Sequence, residues 1–248
     1  MNTILIEGAE ACELDLLHER LAPEESIAFG GWEAHIAELD GARIALLDTG
    51  IGAANAAAAT ALAISALKPC VVISQGAAGA HDASLHTGDI VLGETIVRIG
   101  AYRSEPTPVG GGIHPQRWLP LTPEGLKGEP LALRSDALFM RIALLTALRC
   151  GYSEGASPRV IQGVLGSGDV WNRELDMIAH IRAQTGSSCE DMESYAAAQV
   201  CARMGARFLG LRVITNSDPA GESYVESAAS GAQSLTYEVV RALIEAFS

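Results

Sequence analysis

The sequence is poor in basic residues: it has 17 Lys and Arg against 30 Asp and Glu, a formal net charge of −13. The few cations are also dispersed along the chain. Because a nucleic-acid surface needs clustered Lys and Arg to neutralise phosphates, this composition argues against nucleic acid as a partner. A small molecule is the expected ligand.

Cysteine is also scarce, and its spacing fits neither a disulfide framework nor a zinc site. The cysteines are Cys12, Cys70, Cys150, Cys189 and Cys201. Their odd number and the lack of a CxxC pair indicate reduced thiols. The histidines show no metal or catalytic-triad spacing, and only His114, in a loop, is a candidate for substrate contact. We therefore expect no metal and no cofactor.

Long hydrophobic runs are missing as well. The longest apolar stretch, Ala53–Leu67, is alanine-rich and too short to span a bilayer. The first residues show no basic n-region and no cleavage site of a secretory signal. The sequence therefore predicts a cytoplasmic protein without a membrane partner.

Hydrophobic residues make up 48% of the 248 residues, enough for a full core, and we expect one domain over residues 1–248. Apolar β-branched runs alternate with helical patterns. This order predicts an α/β fold, a three-layer α/β/α sandwich around a mixed, mostly parallel twisted sheet. The predicted strands cover residues 3–6, 32–39, 43–48, 70–74, 89–92, 95–99, 160–165 and 208–214. The predicted helices cover residues 10–20, 54–67, 135–148, 175–184, 192–204 and 230–247.

Residues 104–130 match neither pattern. They contain six prolines and the run Gly110-Gly111-Gly112. Long loops without secondary structure are often functional in compact domains, so this segment is predicted to be a lid or a substrate-shaping insertion.

Two turns rich in small residues follow predicted strands. Gly50-Ile51-Gly52 resembles a dinucleotide fingerprint, but its third glycine and the acid expected about 20 residues later are missing. We interpret it as a tight turn into a helix. The run from Gly76 to Ala80 ends a buried strand, at the edge where open α/β sheets hold ligands. Its small residues, including Ala77 and Gly79, would let a ligand approach the backbone.

Several short motifs occur in a specific order. They are Gly8-Ala9-Glu10-Ala11-Cys12-Glu13, Gly50-Ile51-Gly52, Gln75-Gly76-Ala77-Ala78-Gly79, Gly88-Asp89-Ile90-Val91, Ser167-Gly168-Asp169, Asp191-Met192-Glu193 and Arg212-Val213-Ile214. In this order they resemble the nucleoside phosphorylase and nucleosidase superfamily, and most of all its methylthioadenosine/S-adenosylhomocysteine nucleosidases. The resemblance covers nearly the whole chain apart from residues 104–158. It implies hydrolysis of the N-glycosidic bond of a purine nucleoside by a homodimer whose partner helps to close the site.

The resemblance also implies roles at the sugar and the attacking water. Glu193 matches the family glutamate that binds the ribose hydroxyls, and Met192 would pack beneath the sugar. Glu13 matches the acid that deprotonates the water, a task suited to a carboxylate with a raised pKa in a dry pocket. Arg212 matches an arginine that positions this water or pairs with a site carboxylate.

At the base, Trp171 matches an aromatic residue that stacks on the purine. The backbone of Asn172, the next residue, matches a base contact of the family.

One departure from the family pattern concerns the nucleophile. Phosphorylases of the superfamily have an arginine where this chain has Ser74, and they favour Ser or Thr where it has Ala77. Without that cation, water is the expected nucleophile. The alternatives are a phosphorylase that uses Arg98 or Arg103, and a non-catalytic relative that binds or stores nucleosides.

A second departure concerns the leaving base. Adenine-specific relatives have, at the position of Asn216, an Asp that protonates N7. An amide is not a general acid, but it can donate a hydrogen bond to N7 or to the O6 of a 6-oxopurine. Futalosine hydrolases and trimeric phosphorylases, which act on 6-oxopurines, have a similar asparagine. Alternatively, Asp218 donates the proton. A 6-oxopurine nucleoside therefore stands beside methylthioadenosine and S-adenosylhomocysteine as a possible substrate.

Overall fold

The structure is a computed structural model that describes residues 3–121, 131–152 and 157–247. Its strands are β1 Thr3–Gly8, β2 Glu25–Phe29, β3 Trp32–Leu39, β4 Ala42–Asp48, β5 Val71–Ala80, β6 Ile90–Arg98, β7 Tyr102–Arg103, β8 Leu119–Pro120, β9 Ala132–Arg134, β10 Val160–Ser167, β11 Cys189–Asp191 and β12 Phe208–Asn216. Its helices are α1 Asp15–Leu21, α2 Ala53–Leu67, α3 Ala137–Arg149, α4 Leu175–Thr185, α5 Ser194–Met204 and α6 Ser230–Phe247.

Alternating side chains on the central strands build two cores, one on each face of the sheet. On β1, Ile4 and Ile6 belong to one core and Leu5 to the other, as the two-residue period of a strand requires. The first core includes side chains of α1, α3 and α6, and the second includes side chains of α2 and α5. The sheet therefore lies between two helical layers, which confirms the predicted sandwich.

The large sheet is mixed, and part of it closes on itself. The strand order is β11-β10-β6-β12-β5-β1-β4-β3-β2, with β9 beside β6. Its described pairings are five parallel and five antiparallel. The parallel pairs β4–β1, β1–β5 and β5–β12 form its centre. A further antiparallel pairing joins β11 to β5, so β5, β12, β6, β10 and β11 form a closed ring.

The structure differs from the prediction at short or irregular elements. The helix predicted over residues 10–20 is a 3-10 turn, Ala11–Glu13, followed by α1, because Leu14 between them is not helical (φ −122°). The strands predicted over residues 89–92 and 95–99 are the single strand β6. Strands β2, β7, β8, β9 and β11 have no counterpart in the prediction. Strand β2 is a largely exposed edge strand, and the other four have only two or three residues, too few to show a period.

The irregular segment begins as a loop between two short paired strands. Residues 104–118 connect β7 to β8, which pair with each other. Residues 122–130 lie outside the described residues, so the lid remains a prediction. Among the described residues, no helix combines the length and hydrophobicity that a membrane crossing needs.

Candidate active site

A cavity of about 220 Å³ opens where several strands of the closed ring end. Its lining residues are Ala9, Glu10, Glu13, Ile51, Ala77, Ala78, Gly79, Val170, Trp171, Glu190, Asp191, Met192, Glu193, Thr215, Asn216 and Tyr224. Most of the residues predicted for the site are in this set. The exceptions are Arg212, Asn172 and Asp218.

Glu13 ends the 3-10 turn that follows β1, and its carboxyl is buried. Its Oε2 accepts a hydrogen bond from the backbone N–H of Ala9 (2.7 Å), and its Oε1 accepts one from the N–H of Ala77 (2.6 Å). Burial raises the pKa of Glu13, although these hydrogen bonds oppose the shift. A carboxyl that is fixed on both oxygens and has a raised pKa suits a general base near neutral pH.

Gly76 is required by the close approach of Glu13 to β5. A Cβ atom built at Gly76 would lie 2.5 Å from Oε1 of Glu13, well inside van der Waals contact. Any larger residue at this position would displace the carboxyl.

Glu193 lies immediately before α5 and is held by the turn that precedes α2. Its Oε1 accepts from the N–H of Gly52 at 2.7 Å, and the next amide, that of Ala53, donates to Oδ1 of Asp169 at 2.7 Å. The free N–H groups of the first turn of α2 thus hold two carboxylates. Burial and the negative charge of Asp191 raise the pKa of Glu193 to about 7.

Arg212 lies below the cavity and is engaged within the protein. Its Nε is 2.9 Å from Oδ2 of Asp191, and its NH groups donate to the carbonyl and the hydroxyl of Ser74. Burial disfavours the charged guanidinium, but attraction to Asp191 and other nearby carboxylates outweighs burial and raises the pKa of Arg212. Of the two roles that the sequence left open, the geometry favours pairing with a site carboxylate.

A smaller cavity of about 10 Å³ adjoins the first. Its lining includes Glu7, Glu13, Glu193 and Arg212. A polar cavity of this size fits about one water molecule. Glu13 and Glu193 line both cavities. The two acids therefore share one site, an arrangement that argues against a purely non-catalytic relative.

Glu7, on β1, is a buried acid that the sequence analysis did not single out. It is 3% exposed, and within the described part of the chain its Oε1 has no hydrogen-bond partner. Burial raises its pKa to about 8. An isolated acid in an apolar strand gives little sequence signal, because its burial depends on the strands on either side.

We expect Glu7→Gln to remove a pH dependence of stability. Between the ordinary carboxyl pKa of 4.5 and about 8, folded Glu7 keeps a proton that the unfolded chain loses, so the free energy of unfolding falls as pH rises. The wild-type loss is on the order of 2–4 kcal/mol between about pH 5 and pH 8. Urea unfolding at these pH values measures it. Glu33→Gln, at an exposed position of β3, is the control, and a Glu7→Gln slope equal to that of the wild type would contradict the prediction.

Trp171 and Asn216 lie at the end of the cavity predicted to hold the base. Trp171 is 54% exposed and makes an edge-to-face contact with Tyr224, with ring centroids 5.8 Å apart. Asn216 ends β12 beside Gly79, where a built Cβ atom would lie 3.2 Å from its Nδ2. The missing side chain of Gly79 therefore lets the Asn216 amide lie against β5.

Asp218 lies outside the cavity lining. Its Oδ1 is 3.0 Å from Nη2 of Arg173, and its Oδ2 accepts a hydrogen bond from Nδ2 of Asn216 at 3.1 Å. Of the two candidates for contact with the base, Asn216 is the one that lines the cavity. Asp218 holds the Asn216 amide by this hydrogen bond.

Asn172 also lies behind the cavity wall. Its backbone N–H donates to Oε1 of Glu190 at 2.7 Å, and its Nδ2 donates to Oε2 at 2.6 Å. Glu190 itself lines the cavity, and Nε2 of His81 lies 3.0 Å from its Oε2. Glu190 and His81 are not among the predicted site residues, because their contact depends on the pairing of β11 with β5. The available signal was the acidic run at a predicted ligand edge.

The remaining candidates lie elsewhere. His114 Nε2 is 2.8 Å from the carbonyl oxygen of Gly111 within its loop. Arg103 pairs with Glu105 at 3.1 Å, Arg98 is exposed, and neither arginine lines the two cavities. In the described ranges, no group of three or more His, Cys, Asp or Glu side chains is placed to hold a metal ion.

The fold and the acidic cavity define an α/β protein with a cavity at the strand ends, where folds of this class bind small molecules. The chain belongs to the phosphorylase superfamily, whose family model matches residues 3–245. The family predicted from the order of motifs is thus confirmed.

Individual relatives are similar over most of the chain. The 5'-methylthioadenosine/S-adenosylhomocysteine nucleosidase of Geobacillus thermodenitrificans is 29% identical over 218 residues, which cover 88% of this chain and 84% of that protein. The structure of the nucleosidase of the same name from Neisseria meningitidis, in complex with methylthio-immucillin-A, has a TM-score of 0.78 at 27% identity, covering 97% and 99% of the two chains. The native futalosine hydrolase of Helicobacter pylori, with a TM-score of 0.78 at 20% identity over 97% of each chain, shares the fold.

Proposed function

We propose that this protein is a purine nucleosidase, an N-glycosyl hydrolase. Its substrate is a 5′-substituted purine nucleoside of the methylthioadenosine or S-adenosylhomocysteine type, which it converts to free base and a ribose derivative. The observation that carries the proposal is the small polar cavity shared by Glu13, Glu193 and Arg212, which adjoins a larger cavity with Trp171 at its mouth. The names of the relatives support the same activity.

Glu193 is proposed to hold the sugar. Its carboxylate would accept hydrogen bonds from the ribose hydroxyls, and its charge would favour the oxocarbenium-like centre that forms as the glycosidic bond breaks. Hydrogen bonds from the hydroxyls favour the ionised form, which counters the raised pKa. Met192 would pack beneath the ribose, while Ala77 and Gly79 let the nucleoside approach β5.

Glu13 is proposed to activate the attacking water. A water in the small cavity would lie against this carboxylate, which takes its proton as the oxygen attacks the sugar. Arg212 acts through the acids: by pairing with Asp191, at the end of β11, it keeps positive charge beneath a cluster of carboxyl groups.

Water, and not phosphate, is the proposed nucleophile. Available cations, above all arginine, strengthen the binding of a phosphate nucleophile. Among the residues that line the two cavities, Arg212 is the only Lys or Arg, and its guanidinium is already bound by Asp191 and Ser74. Hydrolysis therefore ranks above phosphorolysis.

A 6-oxopurine nucleoside is the second candidate substrate, and the position of Asn216 favours it. An amide at the cavity can donate a hydrogen bond to N7 or O6 but has no acidic proton to give to an adenine. Trp171 would stack on either base.

We further propose that the enzyme is a cytoplasmic homodimer. Ile51, Val170 and Trp171 lie at the cavity and are each about half exposed. A partner subunit over this apolar surface would bury it and exclude water from the site.

The proposed reaction is tested by offering methylthioadenosine, S-adenosylhomocysteine, adenosine and inosine with and without phosphate. We expect release of free base at the same rate in both conditions, together with an unphosphorylated ribose product, both measured by chromatography. Phosphate-dependent formation of a ribose 1-phosphate would instead show a phosphorylase.

A further inference from the structure

Glu190 is a buried acid in the cavity wall to which neither the family resemblance nor the proposed hydrolysis gives a role. It is the central residue of β11, is 5% exposed and lines the large cavity. It is not part of the small cavity that contains Glu13 and Glu193. Its position in the sheet therefore decides what it can contact.

The ring closure of the sheet places Glu190 opposite Asn216. Gly79 on β5 pairs with Glu190 of β11 on one side and with Asn216 of β12 on the other. Neighbouring strands are about 4.8 Å apart, so the two polar residues are separated by roughly 10 Å of sheet. Gly79 between them has no side chain. The Asn216 amide lies against Gly79, 3.2 Å from a Cβ atom built there, so a flat base in the cavity would meet this amide at one edge and Glu190 at the other.

The Glu190 carboxylate is held by contacts from behind. Asn172 donates to both of its oxygens, at 2.7 and 2.6 Å, and His81 Nε2 lies 3.0 Å from Oε2. His81 Nδ1 is in turn 2.7 Å from the hydroxyl oxygen of Ser187, which is fully buried. A carboxylate has about four acceptor sites, and the hydrogen bonds from Asn172 use two of them. The residue is fixed in place, lines the cavity and still has acceptor capacity.

An ionised carboxylate accepts hydrogen bonds and donates none, so it discriminates between purines. A 6-oxopurine carries a hydrogen on N1, whereas N1 of adenine is itself an acceptor. If adenine were bound, its N1 lone pair would face the fixed carboxylate. Two buried acceptors, N1 and a carboxylate oxygen, would then have no donor, which costs binding free energy. The Asn216 amide, at the opposite edge, can donate to N7 or O6 of the same base.

We infer that Glu190 is a specificity-determining residue that binds the N1–H of a 6-oxopurine, so that the base released is of the hypoxanthine class and not adenine. This inference rests on the proposed purine nucleosidase function, and it selects the second candidate substrate, a 6-oxopurine nucleoside, over the methylthioadenosine and S-adenosylhomocysteine type. His81 and Asn172 act as positioning residues for the carboxylate.

The test measures equilibrium binding of free bases by calorimetry, which requires no turnover. The bases are hypoxanthine, adenine and 1-methylhypoxanthine, which lacks the N1 hydrogen. We expect the wild-type protein to bind hypoxanthine at least about tenfold more tightly than each of the other two, as for a hydrogen bond to a charged group. Tighter or equal binding of adenine, equal binding of 1-methylhypoxanthine, or no detectable hypoxanthine binding at millimolar concentration would each overturn the inference.

Glu190→Gln gives a second, internal measurement. Glutamine keeps the shape of the side chain but brings an NH2 donor that can serve N1 of adenine, so the ratio of hypoxanthine to adenine affinity should fall by at least about tenfold. A general loss of folding would lower both affinities together, and an unchanged ratio would refute the role of Glu190. Glu94→Gln, at an exposed acid paired with Arg134, should keep the wild-type ratio.

Base binding and base release separate the two proposals. If hypoxanthine binds with the expected pattern but no nucleoside is hydrolysed, the nucleosidase proposal fails and the assignment of Glu190 stands. If nucleosides are hydrolysed but adenine is preferred, the assignment of Glu190 fails and the nucleosidase proposal stands.

Discussion

Glu13→Gln is expected to lower the kcat for base release by about a hundred- to ten-thousandfold, the range for loss of a general base. The substitution keeps the shape of the side chain but removes the site that takes the proton from water. In the wild type, the two oxygens of Glu13 accept hydrogen bonds from the N–H groups of Ala9 and Ala77. A glutamine has only one acceptor oxygen, so one of these N–H groups would lose its partner. A small loss of stability should therefore accompany the loss of rate.

Steady-state kinetics with the best nucleoside of the panel measure this effect, and thermal unfolding checks the fold. Asp15→Asn, at an exposed acid in the first turn of α1, is a control expected to keep kcat within about twofold. The pH profile adds a further test. Glu13 must be ionised to accept the proton, and its pKa is raised. As the pH is lowered, the rate should therefore begin to fall at pH values above the ordinary pKa range of glutamate. Near-normal turnover by Glu13→Gln would refute its role.

Arg212→Met is expected to lower the free energy of unfolding by about 3–5 kcal/mol, as when one partner of a buried ion pair is removed. The side chains of Arg212 and Asp191 are 2% and 1% exposed, so Asp191 would remain as a buried charge without its cation. The same change removes the positive charge that opposes the raised pKa values of Glu13 and Glu193, and activity should fall with stability.

Urea unfolding at neutral pH measures this loss. Arg134→Met is the matched control: it breaks a pair with Glu94 in which the side chains are 73% and 54% exposed, and exposed pairs contribute between about 0 and 1 kcal/mol. A loss for Arg212→Met no larger than that of the control would mean that the Arg212–Asp191 pair does not support the site.

Helix α6 shows what local pattern can predict. Its predicted bounds, residues 230–247, match the structure, because Leu235, Val239 and Leu243 recur every four residues and form one buried stripe. Strand β11 shows the limit. With three residues it has no period to detect, and its existence depends on partners from β10 and β5 that are distant in the chain.

The same contrast holds within the site. The order of motifs pointed to Glu13, Glu193, Trp171 and Asn216, which line one cavity. It did not point to Glu7 or Glu190, since nothing local to either residue indicates that it is buried. It also left the role of Arg212 open until the ion pair with Asp191 was seen.

The sequence by itself determined the α/β class and the family, and most of the site residues that it predicted line the cavity, because these depend on short-range periodicity and on residue order. Tertiary structure decided which acids share a cavity, how Arg212 is neutralised and that Glu190 lies across Gly79 from Asn216. Those facts follow from the closure of β11 onto β5, a pairing between distant segments that desolvates charges and brings them within hydrogen-bond distance.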